Sequence, residues 1–386
     1  MQVFLSACGE GFGHSSRMAA ALTALQRSGH GGIIATYGSA LERLRTMCLP
    51  VFETLPELTM VGKKGKLDVL RSVIASSTIS SRFLKAVQLE AAGMRKMRAD
   101  VVISDSRIST VIAGYRLGLP TFYVCNQTSY YKKSSKKLRL DLEELEERAI
   151  GTLMTAPLVL PPFFSDEILV PDFPPPDTIS LPLMSRENAL KKMTSFIGPL
   201  SLTTLVKPKK AEWRATKPRV LVTMGGQAFR RGEYDELKKI ISKNREFNFI
   251  VSSVFAEKEE RIASAQFVKF LPDILPYQNA AGFLVMPAGH SGIIESIVFG
   301  KPALLLPDAS QPEQLSNARR YKELGLGEFL ELKHLHKFEA TLSKLKQNKE
   351  KHLRNISRLS ALSKKEMNGA LNIVKKCEEY GKRMSY

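Results

Sequence analysis

The chain has 386 residues, 57 Lys+Arg against 38 Asp+Glu, a formal net charge of +19 and 44% hydrophobic residues. That length suits about two domains, and that apolar fraction suits domains with proper cores. The sequence argues against three classes: no run of about 18 apolar residues reads as a spanning helix, Cys8, Cys48, Cys125 and Cys377 show no C-x-x-C or C-x-x-H spacing, and the opening Met1-Gln2-Val3-Phe4-Leu5 lacks the basic start of a signal peptide.

The four cysteines are therefore expected as free buried thiols in a reducing, cytoplasmic setting. The charge excess implies an anionic partner: nucleic acid, an acidic membrane face or phosphorylated ligands. It is dispersed, with clusters at Lys132-Lys133, Lys136-Lys137 and Arg139, at Lys207 to Lys210, and in the C-terminal helices.

Gln2 to Ala7 reads as a first strand, running into Gly9-x-Gly11-x-Gly13-His14 and a helix from Ser15 to Arg27. Gly29-His30-Gly31-Gly32 is expected to break it before a strand at Ile33–Thr36. Such a βαβ opening suggests a dinucleotide site, which wants an acid at the end of the second strand. Thr36-Tyr37-Gly38-Ser39 offers none, and the loop is G-x-G-x-G-H rather than G-x-G-x-x-G, so NAD is discounted. Further on are a helix over Asp68–Arg98, a strand Val101–Asp105 ending in a carboxylate, and a strand Pro120–Cys125 followed by Asn126-Gln127. A charged helix Leu138–Ala149, a strand Leu158–Leu160 and an extended proline-rich stretch Pro161–Pro182 complete a first domain of residues 1–186. Residues 187–217 read as a linker, and 218–364 as a second domain that restarts the pattern. Its strands are Arg219–Met224, Phe249–Ser253 and Gln266–Leu271, with a Gly225-Gly226-Gln227 turn and a helix Gly232–Lys243.

Met286 to Asn317 is the most informative stretch. Phe283–Met286 is a short apolar strand, Gly289 and Gly292 flank His290 and Ser291, and a helix over Ile293–Phe299 ends at Gly300-Lys301-Pro302. A helix N-terminus behind a glycine turn suits an anion. Glu295, expected on the first helical turn, suits the diol of a ribose.

Gly289-His290-Ser291-Gly292, Glu295, Gly300-Lys301-Pro302, Pro307, Glu313-Gln314 and Asn317-Ala318 fall in the order seen in nucleotide-sugar glycosyltransferases of the GT-B type. They resemble the MurG-like, family 28-type branch and its archaeal relatives. Gly9-x-Gly11-x-Gly13-His14-x-x-Arg17 is similar to the N-terminal signature of that branch. The resemblance implies an α/β fold of two Rossmann-like domains facing across a cleft. It also implies that the C-terminal helix, residues 365–386, packs back on the first domain. The implied donor is a nucleoside diphosphate sugar, by family default a uridine diphosphate one. The activity is hexosyl or N-acetylhexosaminyl transfer, inverting, with no metal and no cofactor. Gly13, Gly225, Gly226, Gly289, His290, Ser291 and Gly292 would hold the diphosphate. Glu295, Phe270 and Leu271 would hold ribose and base, Glu313 and Gln314 the donor sugar, and Gly11, Arg17 and Asn126 would lie on the acceptor side.

An acceptor hydroxyl must lose a proton on attack. His14 is the first candidate base, with phosphate binding as its alternative role; Asp105 is the second and Glu10 the third. Arg17, one turn into the helix, either pairs with an acid such as Asp105 or faces the cleft. No D-x-D motif stands in a loop after a strand, where a metal-dependent transferase carries its ligands. His30, His334, His336 and His352 are expected at the surface. A nucleotide-sugar 2-epimerase of the same fold is one alternative, though G-x-G-x-G-H suits the transferase. A nucleic-acid-binding protein is another, with Tyr130-Tyr131-Lys132-Lys133 its one local hint. Basic residues mixed with apolar ones over Lys63–Arg98 and Lys132–Arg139 suggest a peripheral site on the inner membrane face and a lipid-linked acceptor.

Overall fold

The computed structural model describes residues 1–9, 12–57, 62–63, 66–67, 79–127, 161–181, 193–206, 208–224, 231–269, 271, 273–308 and 311–383. Two compact units are present: Met1–Val61, Asp68–Leu202 and Gly369–Tyr386 form the first, Gly62–Leu67 and Thr203–Asn368 the second.

In chain order the first part contributes β1 (Gln2–Ala7), α1 (Gly13–Arg27), β2 (Gly31–Thr36), α2 (Gly38–Thr46), β3 (Val51–Glu53), a small hairpin β4 (Gly62–Lys63) and β5 (Lys66–Leu67), and α3 (Ile79–Met97). Then come β6 (Val101–Asp105), α4 (Ile108–Arg116), β7 (Thr121–Val124), β8 (Glu167–Val170) and β9 (Thr194–Phe196). The first unit's sheet runs β3-β2-β1-β6-β7-β8-β9, every pair parallel. Val3, Phe4, Leu5, Val101, Val102, Ile103, Phe122 and Val124 are buried, as expected of strands covered on both faces. Leu5 pairs with Ile34 of β2 on one side and Ile103 of β6 on the other. The chain thus reverses its winding between β1 and β6, and the loops there diverge and open a crevice at the carboxyl ends.

The second unit repeats this plan with β10 (Arg219–Thr223), α5 (Arg231–Lys243), β11 (Asn248–Ser252), β12 (Glu260–Ile262), β13 (Ala265–Val268), α6 (Leu275–Ala280), β14 (Phe283–Met286), α7 (His290–Phe299), β15 (Ala303–Leu305), α8 (Pro312–Glu323) and β16 (Gly327–Phe329). Its sheet order is β12-β13-β11-β10-β14-β15-β16, parallel except for the edge strand β12, and its switch point lies between β10 and β14. Val220, Val222, Phe249, Val251, Phe267, Phe283 and Val285 make its core with Leu237, Ile241, Phe338 and Leu342 from the helices. The closing helices are α9 (Phe338–Gln347), α10 (Lys349–Lys364) and α11 (Gly369–Arg383).

Helix α11 packs on α1 in the first unit. Lys376 Nζ donates to both Glu167 oxygens at 2.7 and 3.0 Å, Asn372 Nδ2 to Ile197 O at 2.8 Å, and Tyr380 meets Phe122 edge-on with ring centroids 4.9 Å apart.

Several sequence expectations are corrected. Gly31 and Gly32 lie inside β2, not in a break: a Cβ at Gly32 would come within 2.9 Å of both Leu22 Cδ1 and Val3 O, so glycine lets α1 press on the sheet. Pro161–Pro182 is not uniformly extended, because Pro161–Phe163 is a 3-10 turn and buried Ile168-Leu169-Val170 pairs between β7 and β9. Within 187–217, Thr194–Phe196 is the seventh strand of the first sheet, and the division between the units falls after Leu202. Cys48 is exposed rather than buried. His352 is buried rather than on the surface, its Nδ1 2.8 Å from Gly325 O. The expected helix 138–149, strand 158–160 and basic run 132–139 lie outside the described residues.

Candidate active site

In the first unit, the chain leaves β1 through Cys8-Gly9 and enters α1 at Gly13. Gly9 is required by close packing: a Cβ there would sit 2.5 Å from the Tyr37 ring. That approach brings His14 and Arg17, the second and fifth residues of α1, to the end of β6. His14 Nδ1 lies 2.8 Å from Asp105 Oδ1; Arg17 Nε donates to Asp105 Oδ2 at 2.7 Å and Nη2 to Oδ1 at 2.9 Å. Ser106 Oγ donates to Oδ1 at 3.2 Å. The Asp105 side chain is 0% exposed and that of Arg17 5%, while His14 keeps 28% of its surface open. Burial by itself would raise the Asp105 pKa, but the Arg17 guanidinium and His14 imidazole together outweigh it and hold the carboxyl well below the usual carboxylate range. With both oxygens engaged and no exposed surface, Asp105 cannot itself reach an acceptor hydroxyl. The contact it makes is with Nδ1 of His14, the first candidate base.

Nδ1 of His14 also lies 2.8 Å from Arg17 Nη2. Arg17 can only donate, so Nδ1 either gives a proton to Asp105, leaving Nε2 as an acceptor, or accepts from Arg17, leaving Nε2–H. Arg17 is buried against Asp105, the pairing that was one of its two expected roles. Asn126, just past β7, is buried too. Glu10 and Gly11 lie outside the described residues.

A second buried ionic network, which sequence reasoning missed, braces the same strand end. Arg107 Nη2 donates to Glu90 Oε1 at 2.5 Å and to Leu55 O at 3.2 Å, and Glu57 accepts the N–H groups of Ile108 and Ser109 at 3.1 and 2.6 Å. Glu57 thus caps α4 with a carboxylate. Glu90 precedes Arg107 by 17 residues and Glu57 precedes Ile108 by 51, spacings that match no local pattern. Only the tertiary structure could have paired them.

In the second unit, α7 begins at His290 with Gly289 as N-cap, so Ser291 and Gly292 belong to its first turn rather than to a preceding loop. Gly289 has φ −69° and open space where a Cβ would project, so glycine is not imposed by strain and the approach to the backbone is unobstructed. The first turn of α7 carries no acidic residue and no side-chain cap, which leaves its positive end available to an anion. The His290 side chain is buried. Glu295 is the sixth residue of the helix, in its second turn, which corrects the expected first-turn placement. It is half-buried, and its Oε2 accepts from Gln278 Nε2 of α6 at 3.0 Å. Gln278 was not singled out from the sequence and is the partner that fixes Glu295.

Glu313 and Gln314 open α8. Gln314 is buried: its Oε1 accepts from Asp308 N at 3.1 Å and its Nε2 donates to Gln311 Oε1 at 2.8 Å. The Gln314 amide thereby joins the start of α8 to Asp308 and Gln311. Asn317 Nδ2 donates to Ala288 O at 3.3 Å, tying α8 to the turn before α7, and stands 3.5 Å from Glu313 Oε1. Leu271 N donates to Ser252 Oγ at 3.1 Å. Gly225, Gly226 and Phe270 lie outside the described residues. Among the described residues, no group of three or more His, Cys, Asp or Glu side chains is placed to share a metal ion.

Residues 219–371 match the glycosyltransferase family 28 C-terminal domain, and residues 1–168 match glycosyl transferase family 1. The chain is 27% identical over 343 residues to an uncharacterized glycosyltransferase of Methanosarcina mazei, covering 86% of each chain. It is 27% identical over 345 residues to one of Methanosarcina acetivorans, again covering 86% of each. Among solved structures it resembles the glycotransferase of kitacinnamycin at TM-score 0.69 and 13% identity, covering 99% of this chain and 98% of the other. It also resembles the spinosyn rhamnosyltransferase SpnG complexed with thymidine diphosphate, at TM-score 0.67 and 15% identity, covering 98% and 100%.

Proposed function

We propose, from the premise that this chain is a glycosyltransferase of the GT-B fold, that it moves a hexosyl or N-acetylhexosaminyl group from uridine diphosphate to a hydroxyl acceptor with inversion and without a metal. The observation that carries this reading is the His14–Asp105–Arg17 cluster at the switch point of the first sheet. In the tautomer with Nδ1–H directed at Asp105, Nε2 accepts the acceptor's proton as its oxygen attacks the sugar's anomeric carbon. The bond from that carbon to the diphosphate breaks on the opposite face, which inverts the centre. The leaving diphosphate gathers negative charge, and the N-terminus of α7 at Gly289–Gly292 offers fixed N–H dipoles to receive it. Glu295, held by Gln278, accepts the two ribose hydroxyls. Glu313 contacts the donor sugar, with Gln314 and Asp308 shaping its loop.

The acceptor is a lipid-linked or membrane-borne hydroxyl compound, met at an anionic membrane face. Leu84 and Leu89 are 56% and 39% exposed on α3, beside exposed Arg82, Lys85, Arg95 and Lys96. Apolar and basic side chains mixed on one helix suit an interfacial surface. No helix among the described residues is long and apolar enough to cross a membrane.

The deciding experiment is hydrolysis and transfer with a panel of uridine and thymidine diphosphate sugars, with and without EDTA. Activity on a uridine diphosphate sugar that persists in EDTA is expected. Activity lost to EDTA and restored by Mn2+ overturns the metal-free mechanism, and a preference for thymidine diphosphate overturns the donor assignment. Sedimentation with anionic liposomes should fall with salt and in the Leu84→Ser, Leu89→Ser variant; a protein left in the supernatant at low salt refutes the membrane acceptor.

A further inference from the structure

The second unit gathers cations at the opposite end of its sheet, where the strands begin. Arg219 is the first residue of β10, and its backbone oxygen accepts from Gly282 N, next to β14, at 2.9 Å. Lys301 lies between α7 and β15, its N–H donating to Ser296 O at 2.8 Å. Lys349 is the first residue of α10, with Nζ 6.0 Å from the ring centroid of Phe283, which opens β14. Lys210 belongs to a segment tied to α6 by Ala211 N–H to Pro276 O at 3.0 Å and Asn279 Nδ2 to Pro208 O at 2.7 Å.

Lys301 is half-buried, and the charges acting on it are those of Lys210, Arg219 and Lys349. Burial foremost, then these three like charges, push its ammonium down to about 8. Among the described residues none of the four forms an ion pair; Arg219 Nη1 donates only to the Trp213 carbonyl, at 3.4 Å. Glu212 and Glu350, the acids nearest in sequence to Lys210 and Lys349, pair with none of them. Solvated surface lysines repel and spread; three cations around a fourth that is partly removed from water, at the starts of the neighbouring strands β10, β14 and β15, is an arrangement that an anion stabilises.

We propose that Lys210, Arg219, Lys301 and Lys349 form a second anion site, which takes a phosphate group, either of a free phosphate compound or of a phospholipid head. It is distinct from the donor site, because the ten residues of α7 place Lys301 about 15 Å from the helix start at His290.

The test reads Lys301 directly. Lysines of the full chain are 13C-methylated, and the signal missing from Lys301→Arg identifies Lys301. Adding inorganic pyrophosphate should move its titration midpoint upward from about 8, and Lys210→Glu with Lys349→Glu should weaken that binding about tenfold or more. In parallel, vesicles of phosphatidylglycerol and phosphatidylcholine are floated with the native and the doubly substituted chain. A pyrophosphate-driven shift without a difference in flotation assigns the site to a free phosphate compound. A loss of flotation in the double variant assigns it to a lipid head. An unmoved Lys301 signal with equal flotation of both chains overturns the proposal. Should Lys301→Arg fail to fold, pyrophosphate is titrated calorimetrically into the native and doubly substituted chains. A weaker affinity in the substituted chain supports the site, and equal affinities and stoichiometries refute it.

Discussion

Asp105→Asn is the substitution that most sharply separates the roles in the His14 cluster. It keeps shape and removes charge. Arg17 then loses a two-point ionic contact at 2.7 and 2.9 Å in a place where its own side chain is 5% exposed. Breaking a buried pair by removing one partner costs about 3–5 kcal/mol, a large share of the ~5–15 kcal/mol that holds a domain together. The His14 contact adds less, since its 28% exposure lets water compensate. Urea unfolding followed by far-UV circular dichroism measures the first effect. Arg17→Met in the Asp105→Asn background should recover part of the loss, because the stranded cation is gone. The loss also has a pH signature. The folded Asp105 pKa lies below its unfolded value, so its contribution is complete above about pH 4–5 and fades as pH falls through the folded pKa. The native-minus-variant difference should therefore be flat from neutral pH down to that range and shrink only in stronger acid. Turnover should fall in parallel by ~10²–10⁴, since the amide no longer selects the Nδ1–H tautomer. A variant within ~1 kcal/mol of native stability and with unchanged kcat would refute the buried-pair reasoning.

Other consequences are simpler to test. His14→Asn should lower kcat by ~10²–10⁴ with donor affinity little changed; a loss confined to donor affinity, by calorimetry, would make His14 a phosphate ligand instead. Glu295→Ala should weaken nucleotide binding by ~1.5–3 kcal/mol with the fold intact, and Gln278→Leu should reproduce part of that loss; unchanged affinity in both removes the ribose clamp. Lys376→Met should leave Glu167, whose side chain is 14% exposed, with Ser195 in place of its ionic partner and lower Tm by several degrees for about 1–2 kcal/mol; a Tm equal to native would show that the Lys376 ion pair does not hold α11.

Much of the architecture could be read from pattern. The buried runs at Gln2–Ala7, Val101–Asp105 and Phe283–Met286 coincide with β1, β6 and β14, because parallel strands covered on both faces leave an apolar signal too short for a helix. The glycine loops marked where strands hand over to helices, and the pairing of Arg17 with Asp105 was one of two readings the spacing allowed. What escaped was everything settled by packing. Gly31 and Gly32 look like a breaker in sequence and are strand residues: a Cβ at Gly32 would meet Leu22 of α1, and one at Gly31 the Gln2 side chain. Ile168–Val170 is a strand amid prolines because β7 and β9 flank it.

The sequence alone determined most of the element types, the two-unit plan and the candidate residues, since hydrophobic period and local turn chemistry act over a few positions. Only the tertiary structure decided which neighbours those residues have. Asp105 is buried between Arg17 and His14, 88 and 91 residues away. Gln314 bonds to Asp308 and Gln311, and Glu295 accepts from Gln278 of another helix. Charge, burial and hydrogen-bond saturation are properties of neighbours in space, and no local pattern in the chain encodes which neighbours those will be.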